Sequence, residues 1–247
     1  MATQPVMATV AAALGIALAS PVYAITIFEA AQAGATNLIE GYLDEGGDVN
    51  VTDENGETML HRAAAHGRVA MAKLLIERGA DIEFKNGRGN APLHLAAENG
   101  DYNIAKLLLE NKANIESRDM GGRTALYEAS AAGEHKMVRM LIAKGADIAA
   151  ANDNGGLPIH VAAANGRYSI AEILISKKSP IDLANSAGMS PLFMAARNGR
   201  LGVASLLVDN GADVNRRDGQ GRSPLKIAIE FKHPDVVRML RKSGAVE

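Results

Sequence analysis

Apolar side chains recur along the chain with a period of 33 residues and with helical spacing inside each period. Apolar residues lie three and four positions apart, as in Ile104, Leu107 and Leu108. This spacing places side chains on one face of an α-helix. From one repeat to the next, Leu or Ile recurs at the same position: Ile27, Leu60, Leu93, Leu126, Ile159, Leu192 and Leu225. The pattern predicts a tandem array of repeats, each built from helices that bury one face.

Small residues recur at the same period. The position three residues after each Leu or Ile is always Ala: Ala30, Ala63, Ala96, Ala129, Ala162, Ala195 and Ala228. A Gly follows four residues later at Gly34, Gly67, Gly100, Gly133, Gly166 and Gly199. Ala at a fixed helical position indicates close helix packing, and Gly after a helix favours a left-handed C-terminal cap. Each repeat is therefore predicted to contain two short helices separated by tight turns.

Turn and capping residues precede the first helix of each repeat. Asp53-Glu54-Asn55-Gly56 is typical of a turn, and Thr58 is suited to cap the helix that follows. Pro92 and its equivalents Pro158, Pro191 and Pro224 lie at the first helical position, where the missing N–H has no cost.

With these features in place, the chain resembles the ankyrin-repeat family. The stretch from Asn90 to Gly100 (Asn-Ala-Pro-Leu-His-Leu-Ala-Ala-Glu-Asn-Gly) and the stretch Gly211-Ala212-Asp213-Val214-Asn215 carry the resemblance. It implies an all-α fold, an ankyrin-repeat solenoid of stacked helix-turn-helix units with short β-hairpin turns. It also implies a concave surface, formed by the hairpin fingers and the first helices, that binds proteins.

The repeat pattern extends over residues 25–247. The units are 25–52 as an N-terminal cap, then 53–85, 86–118, 119–151, 152–184 and 185–217, with 218–247 as a C-terminal cap. Several positions depart from the pattern. Lys112 and Lys178 replace the Gly that ends the second helix, which predicts strained or rearranged turns. Ser179-Pro180 replaces Ala-Asp and makes the fifth unit irregular, while Lys232 and Arg241 give the last unit the polar character of a cap.

Residues 1–24 have a different composition from the repeats. Val6–Ala19 is apolar apart from Thr9, and Val22-Tyr23-Ala24 has the small and branched residues of a cleavage site. We predict a signal peptide at residues 1–24, and hence a periplasmic or secreted, bacterial-type protein. No basic residue precedes the apolar run. The alternatives are an uncleaved leader helix packed on the first repeat, or a misassigned start codon, with a cytoplasmic protein.

Composition and motifs favour binding over catalysis. The net charge of −2 does not indicate a nucleic-acid binder, and the chain has no Cys. His61, His94 and His160 occupy one repeat position, and packed helices about 8–10 Å apart would separate them too far to share a metal. The resemblance implies a hydrogen bond within the turn for this His. Gly87-Arg88-Gly89 lacks the rest of a phosphate loop. We therefore expect no catalytic, metal or cofactor site, and keep an enzyme with a site on the concave face as the alternative.

We expect the partner to be another protein and not a nucleic acid. We also expect the chain to have no membrane span after cleavage and to be a monomer. The resemblance places partner contacts on the fingers and on the exposed ends of the first helices. The candidates are Arg88, Asn90, Glu98, Asn99, Met120, Arg123, Asp153, Asn154, Asn165, Met189, Arg197 and Asn198. Glu54 and Glu57 precede a series of basic residues that ends at Arg222, so we also expect an acidic N-terminal part of this face and a basic remainder.

Overall fold

The computed structural model describes residues 26–247, so the predicted signal peptide lies outside the described residues. This part of the chain contains fourteen α-helices and no β-strand. The helices are α1 (Ile27–Ala33), α2 (Thr36–Asp44), α3 (Met59–Ala65), α4 (Val69–Glu77), α5 (Pro92–Glu98), α6 (Tyr102–Glu110), α7 (Ala125–Ala132), α8 (His135–Ala143), α9 (Pro158–Asn165), α10 (Tyr168–Ser176), α11 (Pro191–Arg197), α12 (Leu201–Asp209), α13 (Pro224–Glu230) and α14 (Pro234–Lys242).

The chain divides into two compact units. The first ends at Asp119 and, in its described part, contains α1–α6; the second runs from Met120 to Glu247 and contains α7–α14. In each unit the odd-numbered helices pack on one another as an inner layer, and the even-numbered helices form an outer layer. The predicted all-α fold of stacked helix-turn-helix units is confirmed within each compact unit.

The periodic Ala residues are buried in the core of each unit. All seven, from Ala30 to Ala228, are at most 1% exposed. Leu60 and Leu93 in the first unit, and Leu126 and Leu192 in the second, are equally buried. A methyl group at the Ala position lets the helices approach closely, and a larger side chain would have to displace core atoms. The prediction that Ala recurs because of close packing agrees with this burial.

The predicted capping residues are confirmed. Thr58 Oγ1 accepts a hydrogen bond from the His61 N–H (3.4 Å), and Ser190 Oγ accepts one from the Phe193 N–H (3.3 Å). Pro92, Pro158, Pro191 and Pro224 each lie at the first helical position. These groups satisfy or remove N–H groups that the first helical turn leaves unpaired.

Three Lys residues occupy the left-handed backbone region. Lys112 and Lys178 have φ of 69°, and Lys232 has φ of 59°. The Gly residues that end equivalent helices, such as Gly145 with φ of 94°, have the same conformation. The turns are therefore preserved and not rearranged, with local strain at each Lys.

The fingers are tight turns, and only one of them shows a β-bridge among the described residues, between Thr52 and Thr58. In that finger the Asp53 N–H donates to the Glu57 carbonyl (3.0 Å) and the Gly56 N–H donates to the Asp53 carbonyl (3.0 Å). The fingers are thus short turns, and in the described residues they form no β-strand.

Candidate protein-interaction surface

An Asp or Asn side chain begins each finger and fixes its backbone. Asn152 Oδ1 accepts hydrogen bonds from the N–H groups of Asn154 (3.1 Å) and Gly156 (2.8 Å). Asp53, Asn86, Asn185 and Asp218 bond in the same way to residues two and four positions later. Each finger is therefore held in one conformation before any partner binds, which lowers the entropic cost of binding.

Two histidines at the third position of an inner helix, His61 and His160, bond to the finger of the following repeat. His61 Nδ1 accepts from the Thr58 N–H (3.1 Å), so Nε2 carries the proton and donates to the Asn90 carbonyl (2.9 Å). His160 Nδ1 accepts from the Leu157 N–H (3.1 Å), and Nε2 donates to the Met189 carbonyl (3.2 Å). The imidazole therefore bonds within its own turn, as the resemblance implied, and also to the following repeat.

Burial disfavours the protonated form of these histidines. Desolvation lowers the pKa of His61 and lowers the pKa of His160 to about 4, although carbonyl hydrogen bonds partly oppose the shift. Both rings are thus neutral near pH 7, and both ring nitrogens are occupied. They hold the structure together and are not available as metal ligands.

Several charged finger residues pair with each other inside their own unit. Arg62 pairs with Asp53 and, at 3.2 Å, with Glu57. Arg123 pairs with Glu128 at 3.1 Å. Because Glu57 and Arg123 are engaged in this way, they contribute less to the expected acidic and basic surfaces than their sequence positions suggest.

Arg222 is engaged in the same manner at the C-terminal finger. It pairs with Asp218 (2.7 Å) and Glu230 (3.7 Å), and its guanidinium lies 5.7 Å from the centre of the Phe193 ring. Burial alone would raise the pKa of Asp218, but hydrogen bonds from Arg222 and from backbone N–H groups lower it below the usual value. Arg222 therefore stabilises its finger, and the expected basic face is weaker at this end.

The fingertips present exposed side chains, although the Asp153 carboxylate lies against Gly122 of the preceding finger. Arg88, Asp153 and Asn154 are exposed, and Met120 is 73% exposed. Their backbone is fixed, whereas these four side chains point to solvent without a hydrogen bond or ion pair within residues 26–247. Met189 is half-buried. The tips thus combine a rigid backbone with free side chains of varied chemistry.

The ends of the inner helices form a second group of exposed candidates. Glu98, Asn99, Asn165, Arg197 and Asn198 are all exposed. The Asn amides already donate to helix carbonyls: Asn99 to Leu95 (3.0 Å), Asn198 to Met194 (2.8 Å) and Asn165 to Ala131 (3.0 Å). These amides close the helix ends and still offer an acceptor oxygen to a partner.

Asn90 differs from the other candidates. Its side chain is only 5% exposed, and Oδ1 is buried without a hydrogen-bond partner in the described part of the chain. Its backbone carbonyl accepts from His61, so the residue lies between two fingers. The side chain of Asn90 is thus largely shielded from solvent, and contact with a partner stays a prediction.

A shallow cleft lies between the two fingers of the first unit. It has a volume of about 360 Å³ and is lined by residues 54–57 and 86–88. The Gly87 N–H donates to the Asn55 carbonyl at its base (2.8 Å). Glu54 and Arg88 give the cleft one acidic and one basic wall.

Sequence reasoning missed the role of the residues that begin the fingers. The signal was present, because Asp or Asn stands at positions 53, 86, 119, 152, 185 and 218, again with the period of 33. We expected turn chemistry at Asp53 without assigning the bonds of its side chain. The same Asx signal recurs between repeats at Asp48, Asp81, Asn114, Asp147 and Asp213.

Comparison with known proteins agrees with this geometry. The folded units define a protein of stacked helix-pair repeats. A family model described as ankyrin repeats (3 copies) matches residues 27–119, 117–185 and 160–246, and the chain belongs to the ankyrin-repeat family. The crystal structure of the human ASB11 ankyrin repeat domain is similar to it, with a TM-score of 0.79 and 29% identity over 91% of this chain and 97% of that chain. A search of curated proteins found no match.

Ankyrin repeats are generally protein–protein interaction modules, and the family is typically non-catalytic. None of the helices in residues 26–247 has the length and apolar character needed to cross a membrane.

Proposed function

We propose that this protein binds a partner protein through its fingertips and the exposed ends of its inner helices, without catalysis. The observation that carries the proposal is the contrast at each finger. The first residue of the finger fixes the backbone through two hydrogen bonds, whereas the tip side chains are exposed and unbonded within residues 26–247. A preorganised surface with variable side chains suits recognition, because little entropy is lost on binding.

Met120 and Arg88 are the strongest candidate contacts. Met120 is the most exposed large apolar residue among those described, at 73%. Met adapts its shape to a partner, and Arg is enriched among residues that dominate binding energy. Each lies at the tip of a finger in a different unit.

The test is capture of the native partner from the source organism by purified protein, followed by affinity measurement with that partner. We expect Met120→Ser and Arg88→Ser each to weaken the complex by about tenfold or more. Leu183→Ser and Arg216→Ser are matched controls, because both residues are exposed but precede the fingers. Equal affinity for fingertip and control variants would refute the proposal.

We also propose export as a stand-alone binder, supported by the apolar run and small residues at positions 6–24. The N-terminal sequence of the protein isolated from the periplasm or medium tests this proposal. A mature terminus at Ile25 is the expected result. Material that retains Met1, or that is confined to the cytoplasm, would contradict export.

A further inference from the structure

A row of unpaired cations crosses the second unit at the loops that join inner to outer helices. Arg167, Arg197, Arg200 and Lys232 are exposed, and none pairs with a carboxylate within residues 26–247. We call these four residues the basic strip. Two acidic groups on the same loops are engaged, since Glu230 pairs with Arg222 and Asp235 pairs with Arg238, whereas Glu134, one repeat before Arg167, has no ion pair within residues 26–247. The strip therefore keeps its positive charge.

Two arginines of the basic strip, Arg167 and Arg200, are each anchored to the backbone through one nitrogen only. Arg167 Nε donates to the Ala131 carbonyl (3.1 Å), and Arg200 Nε donates to the Ala164 carbonyl (3.1 Å). Both Nη groups of each guanidinium remain without a partner in the described residues. The fixed Nε points these free donors outward, in the planar arrangement that suits a carboxylate.

Glycines in the loops make room for these side chains. A Cβ added at Gly166 would lie 2.9 Å from Arg200 Cδ, and one added at Gly133 would lie 3.0 Å from Arg167 Cδ. His233 occupies the equivalent place one repeat later, and its Nε2 donates to the Arg197 carbonyl (3.0 Å). Successive repeats thus hold Arg167, Arg200 and His233 in register.

The charge of these arginines suits the C-terminal ends of the inner helices that they contact, because a helix C-terminus favours a cation. Arg167 and Arg200 are the N-terminal caps of α10 and α12, and neither caps the helix with its side chain. Their guanidinium groups instead reach carbonyls in the last turn of the preceding inner helices, at Ala131 and Ala164. Glu134, at the equivalent place before α8, has the sign that the helix favours.

Exposed apolar side chains alternate with the basic strip. Tyr168 is 47% exposed and Leu201 is 40% exposed, each directly after an arginine. Phe231 is 47% exposed, and the Arg197 guanidinium lies 5.4 Å from its ring centre. Such a surface offers apolar contact beside each charge, which free anions would not use.

We infer that the basic strip binds an extended acidic segment of a partner protein, an inference that rests on the proposed protein-binding function. Equivalent residues in packed repeats are about 10 Å apart. An extended chain in the polyproline II conformation has three residues per turn and advances about 3.1 Å per residue, so carboxylates three residues apart lie on one face at about 9 Å, close to the spacing of the repeats. The segment therefore has Asp or Glu at every third position, with an apolar residue between them.

A fluorescent peptide with the sequence (Glu-Leu-Ser)₃ is the probe, measured by anisotropy at pH 8. We expect binding that weakens with added salt, severalfold weaker binding when the three Glu are adjacent, and no binding when Gln replaces Glu. Arg167→His with Arg200→His should reduce affinity by about tenfold or more. His at the equivalent position 233 keeps the bond to the preceding repeat, so the fold is preserved while the guanidinium is lost.

Arg216→His is the matched control and should not change affinity, because Arg216 is exposed outside the strip. If the double His variant fails to fold, Arg197→Gln with Lys232→Gln provides the second test, since neither side chain bonds to the backbone within residues 26–247. Equal binding of the Gln peptide, or full affinity in a folded strip variant, would overturn the inference. So would strip-dependent binding of phosphatidylglycerol vesicles without binding of the peptide.

The experiments distinguish a failure of the inference about the basic strip from a failure of the proposed function. Partner capture that depends on Met120 and Arg88 but not on the strip leaves the proposed function standing and refutes this inference. Peptide binding that depends on the strip, without any effect of the fingertip variants on partner capture, refutes the fingertip proposal alone.

Discussion

Single residues carry strain that the repeat pattern made visible. Lys178 adopts φ of 69°, in the region where a side chain with a Cβ costs about 1–2 kcal/mol. Gly has no such cost but loses more entropy on folding. We therefore expect Lys178→Gly to stabilise the protein by about 0.5–1 kcal/mol in urea unfolding.

The reverse change is the control for that prediction. Gly145 has φ of 94°, and a Cβ added there would have no atom within 4 Å. Gly145→Lys should then lose stability from backbone strain alone, by about 1 kcal/mol. Stabilisation by both changes would show that backbone strain does not control these turns.

Buried histidine makes stability depend on pH. Burial lowers the pKa of His160 to about 4, whereas the unfolded chain has a value near 6.5. At pH values between these two pKa values, the unfolded state binds a proton on His160 that the folded state does not bind. The contribution of His160 is therefore complete above about pH 6.5 and is lost as the pH falls to about 4, with a slope of at most about 1.4 kcal/mol per pH unit.

Urea unfolding of wild type and His160→Gln at about pH 4.5–7 measures this dependence. The variant loses the bonds to Leu157 and Met189, so it should be less stable at pH 7, with a shallower slope. NMR of the folded protein should show the His160 ring still mostly neutral at about pH 5. Titration of that ring near pH 6.5 in the folded protein would contradict the prediction.

At the scale of elements, the side chain that begins a finger should matter more than the one at its tip. Asn152 Oδ1 holds two backbone N–H groups, which would lose their partner in Asn152→Ala. We expect a loss of about 1–2 kcal/mol. Asn154→Ala, in the same finger, should change the free energy of unfolding by less than about 0.5 kcal/mol, because its side chain is exposed and bonds to none of the described residues. Equal losses would mean that the Asx bonds do not hold the finger.

The elements were predictable because their signals are local and repeated. Pro92, Thr58 and the Gly residues mark helix ends through backbone chemistry that does not depend on tertiary contacts. The candidate surface was less predictable. The sequence did not show that Glu128 pairs with Arg123, or that Asn90 is buried between fingers, since both depend on where a finger meets its neighbours.

At the scale of the whole molecule, recurring interior and varied exterior residues have separate roles. Ala162 and Ala195 are fully buried and identical, whereas Arg167 and Glu134, at equivalent surface positions, have opposite charges. The interior can thus keep one packing solution while the surface specifies a partner. This division explains why fold was readable from the sequence and partner identity was not.

Packing within the second unit should depend on how many inner helices a repeat touches. Ala162 lies in α9, which packs on both α7 and α11, whereas Ala228 lies in α13, which packs on α11 and has no following inner helix in the described part of the chain. Both residues are fully buried. Leu at either position overpacks the contact, at about 1–3 kcal/mol per affected interface. Because repeats are stabilised by their neighbours, Ala162→Leu should lower the Tm more than Ala228→Leu.

Thermal unfolding followed by circular dichroism compares the two variants. Small and equal shifts would show that the periodic Ala does not limit packing, and close helix approach would no longer explain why Ala recurs.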